Sequence, residues 1–438
     1  MYPGFSLRAV NICLVAGISS LAACIAPADA ATFADLHAFC SQTGCPDGNY
    51  PTAPLVSDAA GDLFGTTALG GAAGWGTIFE FVPNGKGGYK FKQLHSFCAQ
   101  ANCADGSDPV AGLIIDSAGN LYGTTKFGGA QNGGTVFELL RSGGKKHFRL
   151  LHSFCAQGAA CTDGSLPVYD GLTYLGAASG LSYDGTSPLY GTTIYGGENN
   201  SGYSGTVYEL RPGSAKKWKE QVIYQFCART NCADGMEPHN GLAMDSSGNL
   251  YGVTYGGGGG SGDGTVFELS HRKGTWTEIV LYDFCSQANC ADGANPESAP
   301  VIDASGALVG TTTSGGADDW GVLYKDIPNG DGSQYSVLYS FCSQVNCADG
   351  TNPMGRLALD TSGNIFGTAL EGGSAGFGTI WQFGGNTFTL LHTFCSGGNC
   401  VDGKWPVGGV TLDQSEDIFG TTSEGGSYGD GAVFRLSP

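Results

Sequence analysis

Charge is scarce in this chain. Only 13% of its 438 residues are charged, and 39 acids against 20 bases leave a net charge of −19. The few lysines and arginines form no basic stripe, which excludes nucleic acid as a partner: phosphate backbones need clustered cations and are repelled by this balance. No hydrophobic run after the first thirty residues is long enough to span a membrane, so no transmembrane segment is expected there. Common catalytic signatures are missing too, with no Walker loop, no H-E-x-x-H and no dinucleotide fingerprint. Gly372-Gly373-Ser374-Ala375-Gly376 and Gly425-Gly426-Ser427-Tyr428-Gly429 fit G-x-S-x-G. That motif needs a strand–turn–helix setting, whereas both copies fall in glycine-rich loops between strands.

What the chain has is glycine, 75 residues of it, with 11% aromatic and 41% hydrophobic content. Many short strands joined by tight turns make such a composition all-β. Residues 1–30 stand apart as an export signal. Arg8 supplies a thin positive start, and Ala9 to Ala23 is apolar but too short for a span. Ala28-Asp29-Ala30 is a small-x-small cleavage site that would leave Ala31 first. Leu21-Ala22-Ala23-Cys24 resembles a lipobox, in which residues 1–23 would be removed and Cys24 lipidated. Either processing route takes the protein out of the cytoplasm, and residues 31–438 are expected to form one domain.

Aligning the Phe-Cys dipeptides exposes a repeat. They fall at Phe39, Phe97, Phe154, Phe226, Phe284, Phe341 and Phe394, spaced by 53–58 residues except for 72 in the third unit, where an insertion lies around Gly176 to Ser187. The second unit shows the pattern. Gly112 to Asp116 reads as strand A, Ser117 to Asn120 as a turn, Leu121 to Thr125 as strand B, Gly128 to Gly134 as a loop, Thr135 to Leu139 as strand C and Phe148 to Phe154 as strand D. Four antiparallel strands make one propeller blade. Strand B always carries a central glycine (Gly65, Gly123, Gly191, Gly252, Gly310, Gly367, Gly420), and strand C always carries an aromatic (Phe79, Phe137, Tyr208, Phe267, Tyr324, Trp381, Phe434). Glycine inside a strand marks a close approach, so each ring is expected to cover a neighbouring sheet's glycine.

The chain opens on a lone strand D, Phe33 to Phe39, and ends on strands A, B and C. Sharing one blade between the two ends would close a seven-bladed propeller and remove the free sheet edges that β proteins avoid. An open β-solenoid of the same units is the alternative. The segments GLIIDSAGNLYGTTKFGGAQNGGTVFEL and GLAMDSSGNLYGVTYGGGGGSGDGTVFEL resemble the GloVer (Gloeo-Verruco) extracellular tandem repeat, over essentially the whole mature chain. That resemblance implies a secreted or cell-surface location and supplies no catalytic residues. A looser similarity to kelch blades rests on the Gly-Gly pairs and on Trp218 and Trp276.

Fourteen cysteines follow the signal, all in local pairs: Cys40 with Cys45, Cys98 with Cys103, Cys155 with Cys161, Cys227 with Cys232, Cys285 with Cys290, Cys342 with Cys347 and Cys395 with Cys400. An even count, one pair per repeat and an export signal predict seven disulfides, because a zinc site would need four soft ligands at one place. Each bridge is expected to stiffen the connection from strand D to strand A. An Asp-Gly follows each pair and reads as a turn, with calcium coordination by the Asp as the alternative; no other cofactor is expected.

Four of the seven histidines, His37, His95, His152 and His392, share a strand D position with Tyr224, Tyr282 and Tyr339, a packing site with a polar tip. His147 and His271 read as solvated turn residues. His239 differs. It starts strand A, where blades line the channel, and Glu297 holds the equivalent position one blade on, with Glu237 nearby. These residues could act as a general acid/base group. Rings in the B-to-C loops (Trp75, Phe127, Tyr195, Tyr203, Tyr255, Trp320, Phe377, Tyr428), with Tyr169 and Trp405 from the D-to-A side, are expected on the same face. Aromatic platforms beside carboxylates suit sugars or peptides. The leading expectation is a monomeric, non-catalytic propeller binding a glycan or protein on the Cys-loop face. A hydrolase or lyase using His239, Glu237 and Glu297, and a structural envelope component, are the alternatives.

Overall fold

The computed structural model describes residues 31–141, 146–158, 160–167, 169–198, 204–213, 217–330 and 332–437. The expected export signal with Cys24 lies outside these residues, as do Val168 and Tyr203. Seven antiparallel sheets follow one another along the chain, six with four strands and one with three. In blade two the strands are Ile114–Ile115, Leu121–Thr125, Thr135–Leu140 and His147–Ser153. The last sheet combines Val410–Leu412, Ile418–Thr422 and Ala432–Ser437 with the first strand of the chain, Thr32–Ala38. The propeller is therefore closed by pairing its two ends, and the open solenoid is excluded.

The closing joint repeats the others in detail. Strands C and D slip register by a bulge beside the strand C aromatic in every blade, as at Val136/Phe137, and the pairing of Thr32–Ala38 with Ala432–Ser437 has its bulge between Asp35 and His37. A bulge twists a strand and re-aims its side chains. Here it turns the strand C ring inward across the glycine opposite it in the same sheet. Phe79 pairs in register with Gly65, and a Cβ on that glycine would lie 2.5 Å from Phe79 Cζ. This corrects the expectation that the ring would cover a neighbour's glycine.

The neighbour instead supplies the Phe of its Phe-Cys pair. Phe39–Phe79, Phe97–Phe137, Phe154–Tyr208, Phe226–Phe267, Phe284–Tyr324, Phe341–Trp381 and Phe394–Phe434 meet at 5.0–5.4 Å between ring centroids. All fourteen rings are essentially buried. Inclined aromatic contacts add to the burial of large apolar area, so one interlock holds all seven joints, including those on either side of the closing blade.

The seven disulfides form as expected: Cys40 with Cys45, Cys98 with Cys103, Cys155 with Cys161, Cys227 with Cys232, Cys285 with Cys290, Cys342 with Cys347 and Cys395 with Cys400. Each joins Cα atoms 3.9–4.1 Å apart within a short loop. They lie within the D-to-A connections, as expected, and the backbone they hold reaches a second loop. All fourteen cysteines hold left-handed backbone, with φ between 45° and 62°. That conformation aims the second carbonyl of each pair, from Cys45, Cys103, Cys161, Cys232, Cys290, Cys347 or Cys400, at two N–H donors. One donor is the glycine of the following Asp-Gly, and the other is a glycine of the same blade's B-to-C loop, all at 2.8–3.0 Å. Gly106 and Gly129 both donate to Cys103 O in this way, as Gly403 and Gly426 do to Cys400 O. The carbonyl of each pair's second cysteine therefore ties two loops together. Cys103, Cys232, Cys290 and Cys347 also end short 3-10 turns that the sequence reading did not foresee, whereas Cys161 and Cys400 do not.

The Asp of each Asp-Gly braces its loop. Asp105, for example, accepts N–H bonds from Ala99 and Gln100, as Asp349 does from Ser343 and Gln344. In every blade this carboxylate also lies 2.6–3.3 Å from the strand D His or Tyr tip. Those bonds account for the repeated Asp without an ion. The glycine after it is required: at Gly106, with φ +96°, a Cβ would meet Thr125 Oγ1 at 2.4 Å.

Two further details differ from expectation. Strand A of blade three is reduced to a single bridge, Thr173 with Tyr190, and the inserted segment leaves it. Its buried Tyr183 bridges to Asp116 of blade two and packs on Tyr122 and Tyr174. His147 and His271 lie within strands rather than turns, exposed at their outer ends.

Candidate functional site

Pre-proline residues ring the Cys-loop face. Tyr50, Asp108, Leu166, Glu237, Asn295, Asn352 and Trp405 each precede a proline and hold left-handed backbone, with φ between 53° and 58°. This conformation costs a non-glycine residue on the order of 1 kcal/mol and is disfavoured again before proline. Hydrogen bonds over-determine it. Each N–H reaches the preceding blade's B-to-C loop, as Asp108 does Trp75 O at 3.0 Å, Glu237 does Ser204 O at 3.1 Å and Tyr50 does Asp430 O at 3.0 Å across the closing joint. The B-to-C and D-to-A loops therefore share one face, as the sequence implies.

Exposed rings populate this face. Trp75, Trp320 and Tyr428 are 46%, 41% and 56% exposed, and Tyr50 is 39% exposed. Trp405 is half-buried, 6.2 Å from Phe377 and beneath the Lys404 ammonium. Tyr169 is less exposed than these rings and packs with Ala68, Val110 and Ile194. It is a half-buried channel residue close enough to Glu297 to feel its charge.

Inside the pre-proline ring, the residues after the prolines form a second ring, which includes Thr52, Val110, His239, Glu297, Met354 and Val407. Its polar arc lies in blades four and five. His239 stacks on Tyr255 with centroids 4.6 Å apart. Its Nε2 stands 3.8 Å from Glu237 and its Nδ1 stands 3.9 Å from Glu297. Both gaps exceed a hydrogen bond. Burial, helped by the Lys126 charge, pushes the imidazole down to about 4, and burial pushes both carboxyls up. The three candidate residues are thus brought together, with the histidine neutral at pH 7 between two acids.

Deeper in, the strands A converge and the bore narrows to a belt of Pro54, Gly112, Gly171, Gly241, Ala299, Arg356 and Gly409. Backbones touch there: a Cβ on Gly171 would lie 2.6 Å from Gly112 O. Two charges interrupt the belt, and the sequence reading missed both. Blade three has one residue more than the other blades between its proline and strand A, which places Asp170 in the bore. Its Oδ2 accepts the Ala299 N–H of blade five at 3.0 Å, and burial raises its carboxyl against the pull of Arg356. Arg356 is fixed by its backbone, which bridges to Gly409 and accepts the Val410 N–H. Comparing repeats at this one position would have found it, since every other blade carries Gly, Ala or Pro there.

Beyond the belt the bore widens into a cavity of about 420 Å³, walled by the strands A and bordered by the blade-three insertion through Ala177, Ala178 and Gly180. Outside the disulfides, His152, Asp163 and Glu220 at the blade-two/blade-three joint place one potential metal-ligating atom each within 4.8 Å of one another.

A model of the Gloeobacter/Verrucomicrobia repeat matches residues 25–187, 177–325 and 280–438, which together take in the whole propeller. The chain belongs to that repeat family. Among curated proteins no sequence match is found. Of the solved structures, a Mycobacterium tuberculosis puromycin-hydrolysing peptidase aligns at 11% identity and TM-score 0.51, over 87% of this chain and 50% of the peptidase. The Pseudomonas aeruginosa periplasmic gluconolactonase PpgL aligns at 14% identity and TM-score 0.46, over 88% of each chain. At such identities the likeness is one of fold. The seven disulfides of this repeat protein suit an oxidising compartment outside the cytoplasm. No helix among the described residues is long and apolar enough to cross a membrane.

Proposed function

We propose that the protein is an exported, non-catalytic propeller that binds a glycan on its Cys-loop face. The observation carrying this reading is the set of exposed rings on one face, Trp75, Trp320, Tyr428 and Tyr50. Flat apolar surface beside acceptor carboxylates matches the alternating C–H faces and hydroxyl edges of sugars. The pre-proline ring supports it: Tyr50, Glu237 and Trp405 keep large side chains at left-handed positions where glycine is less costly. Binding to a glycan array should fall at least about tenfold in Trp75→Ala/Trp320→Ala, the loss of one or two stacking contacts, and should hold in His239→Ala/Glu297→Ala. Undiminished glycan binding by the aromatic variant, or capture of peptides and no glycan, would sink the proposal.

A second reading, a hydrolase or lyase, rests on His239 between Glu237 and Glu297. Turnover of any glycan or ester substrate that disappears with His239→Ala would establish it. Export is inferred to leave Ala31 as the first residue, with lipidated Cys24 as the alternative, and the mass of the mature N-terminal peptide separates the two.

A further inference from the structure

Hydrogen-bond donors without partners gather where the bore is narrowest. Arg356 lines both the 420 Å³ cavity and the small space above the belt, and among the described residues its guanidinium has no carboxylate within 4.0 Å. Asn240 and Thr52, only 2% and 6% exposed, line the same small space, and Asn240 Nδ2 and Thr52 Oγ1 have no hydrogen-bond partner. Buried polar atoms in a folded protein normally find partners, so these two buried donors, beside an Arg356 side chain exposed to the bore, point to an acceptor from outside the chain. The space above the belt, about 10 Å³, takes no more than a water or a single ligand atom. The 420 Å³ cavity on the other side is of ligand size, with Ile114, Val301, Ala358, Leu359 and Leu412 in its walls.

Charge sets the sign of the ligand. Arg356 is the one cation lining the cavity and Asp170 the one anion. Asp170 is already engaged by the Ala299 N–H and reaches across the bore over Gly241, where a Cβ would lie 3.0 Å from Asp170 Cβ. Arg356 has no such engagement, and an unpaired guanidinium favours a carboxylate, which it can hold by two parallel bonds.

We infer that the channel is a second binding site, opening opposite the Cys-loop face, for a small monocarboxylate whose acid group meets Arg356 at the belt and whose apolar body fills the cavity. The blade-three insertion borders this mouth. Tyr174 OH holds it through Leu181 O at 2.6 Å, and its Leu175 and Leu181 are 56% and 63% exposed. The site does not depend on the glycan reading, because the Asp170 belt separates it from the exposed rings.

The test is calorimetric titration of the purified protein with octanoate and 3-phenylpropanoate, each against its matched alcohol. Both acids should bind at least about tenfold tighter than the alcohols, the preference expected of a two-bond charge-assisted pair. Arg356→Met should erase that preference and Arg356→Lys should keep much of it. Ala243→Phe, which fills the cavity away from the donors, should abolish binding of acid and alcohol alike. Trp75→Ala/Trp320→Ala should bind the acids as the wild type does, so a failed glycan site and a failed channel site give different results. Equal binding of acid and alcohol, no binding of either acid, or an acid preference that survives Arg356→Met would overturn the inference.

Discussion

The joints between blades and the bore they surround are built from the same seven repeats, yet one is uniform and the other is not. Each joint uses the same Phe, the same inclined ring and the same glycine, and its ring distances vary by only 0.4 Å around the circle (5.4 − 5.0). In the bore, equivalent positions hold Thr52, Val110, His239, Glu297, Met354 and Val407, and the belt below admits Arg356 and an extra Asp170. A joint must match both of its neighbours, so a change in one is felt in two blades. Four of those six, His239, Glu297, Met354 and Val407, are only half-buried, so change there disturbs less packing. Chemistry can accumulate along the axis at little cost to the ring.

The largest expected effect comes from breaking the ring itself. Deleting residues 31–39 removes the closing strand and Phe39, exposing two sheet edges. The loss should be comparable to the whole reserve of a domain, on the order of 5–15 kcal/mol, so that no cooperative melt remains by calorimetry. A melt unchanged from wild type would mean that closure contributes nothing. Next is Trp381→Ala, which empties a fully buried joint over Gly367. It should cost about 3–5 kcal/mol in urea unfolding, while Met354→Ala in the bore should cost less than about 1 kcal/mol. Comparable losses would erase the contrast between joint and bore. Replacing one disulfide, as Cys285→Ser/Cys290→Ser, should cost about 2 kcal/mol, because the loop it closes is short.

The smallest effect concerns a joint that departs from the pattern. At the strand D position where five blades stack Phe33, Phe91, Phe148, Tyr335 or Phe388 on the His or Tyr tip, blades three and four carry Glu220 and Glu278. Glu278 has Arg229 at 2.5 Å and the Tyr224 hydroxyl at 3.3 Å. Glu220 has no such cation, and its Oε1 is buried without a partner. Burial, with Asp163 adding to it and His152 opposing it, pushes the Glu220 carboxyl up to about 7. Its folded value thus lies above its unfolded one, so its share of stability is full below about pH 4.5 and is lost as pH rises through 7. Glu220→Gln should therefore gain on the order of 1 kcal/mol at pH 8 and nothing at pH 4. Glu278→Gln should gain less, since it leaves Arg229 without its partner. Urea midpoints at the two pH values decide both.

Much of this was legible in one dimension. The period of the Phe-Cys dipeptides gives the blade count, the local cysteine pairs give the disulfides, and the split of strand D from strands A, B and C gives the closing blade. Strand B of blade two falls where its alternation placed it, Leu121–Thr125. Repetition made these features readable, because a signal written seven times rises above the ambiguity of a short strand. The clustering of His239, Glu237 and Glu297 was legible for the same reason, as equivalent positions in adjacent blades must be neighbours. The second bond made by each cysteine carbonyl was not, because its donor sits in another loop and the spacing between them does not show that the two loops meet. In blade three the long spacing shows the insertion, but the extra residue that places Asp170 in the bore carries no period of its own.

The chain alone therefore determined the ring: its number of blades, its staples and its closure follow from local pattern and from the rule that sheet edges must be paired. Only the tertiary structure decided what occupies the axis. Asp170, Arg356, Asn240 and Thr52 come from four different blades, and no spacing along the chain reveals that they meet. Their meeting follows from the convergence of seven strands on a bore so narrow that side chains distant in sequence share one space.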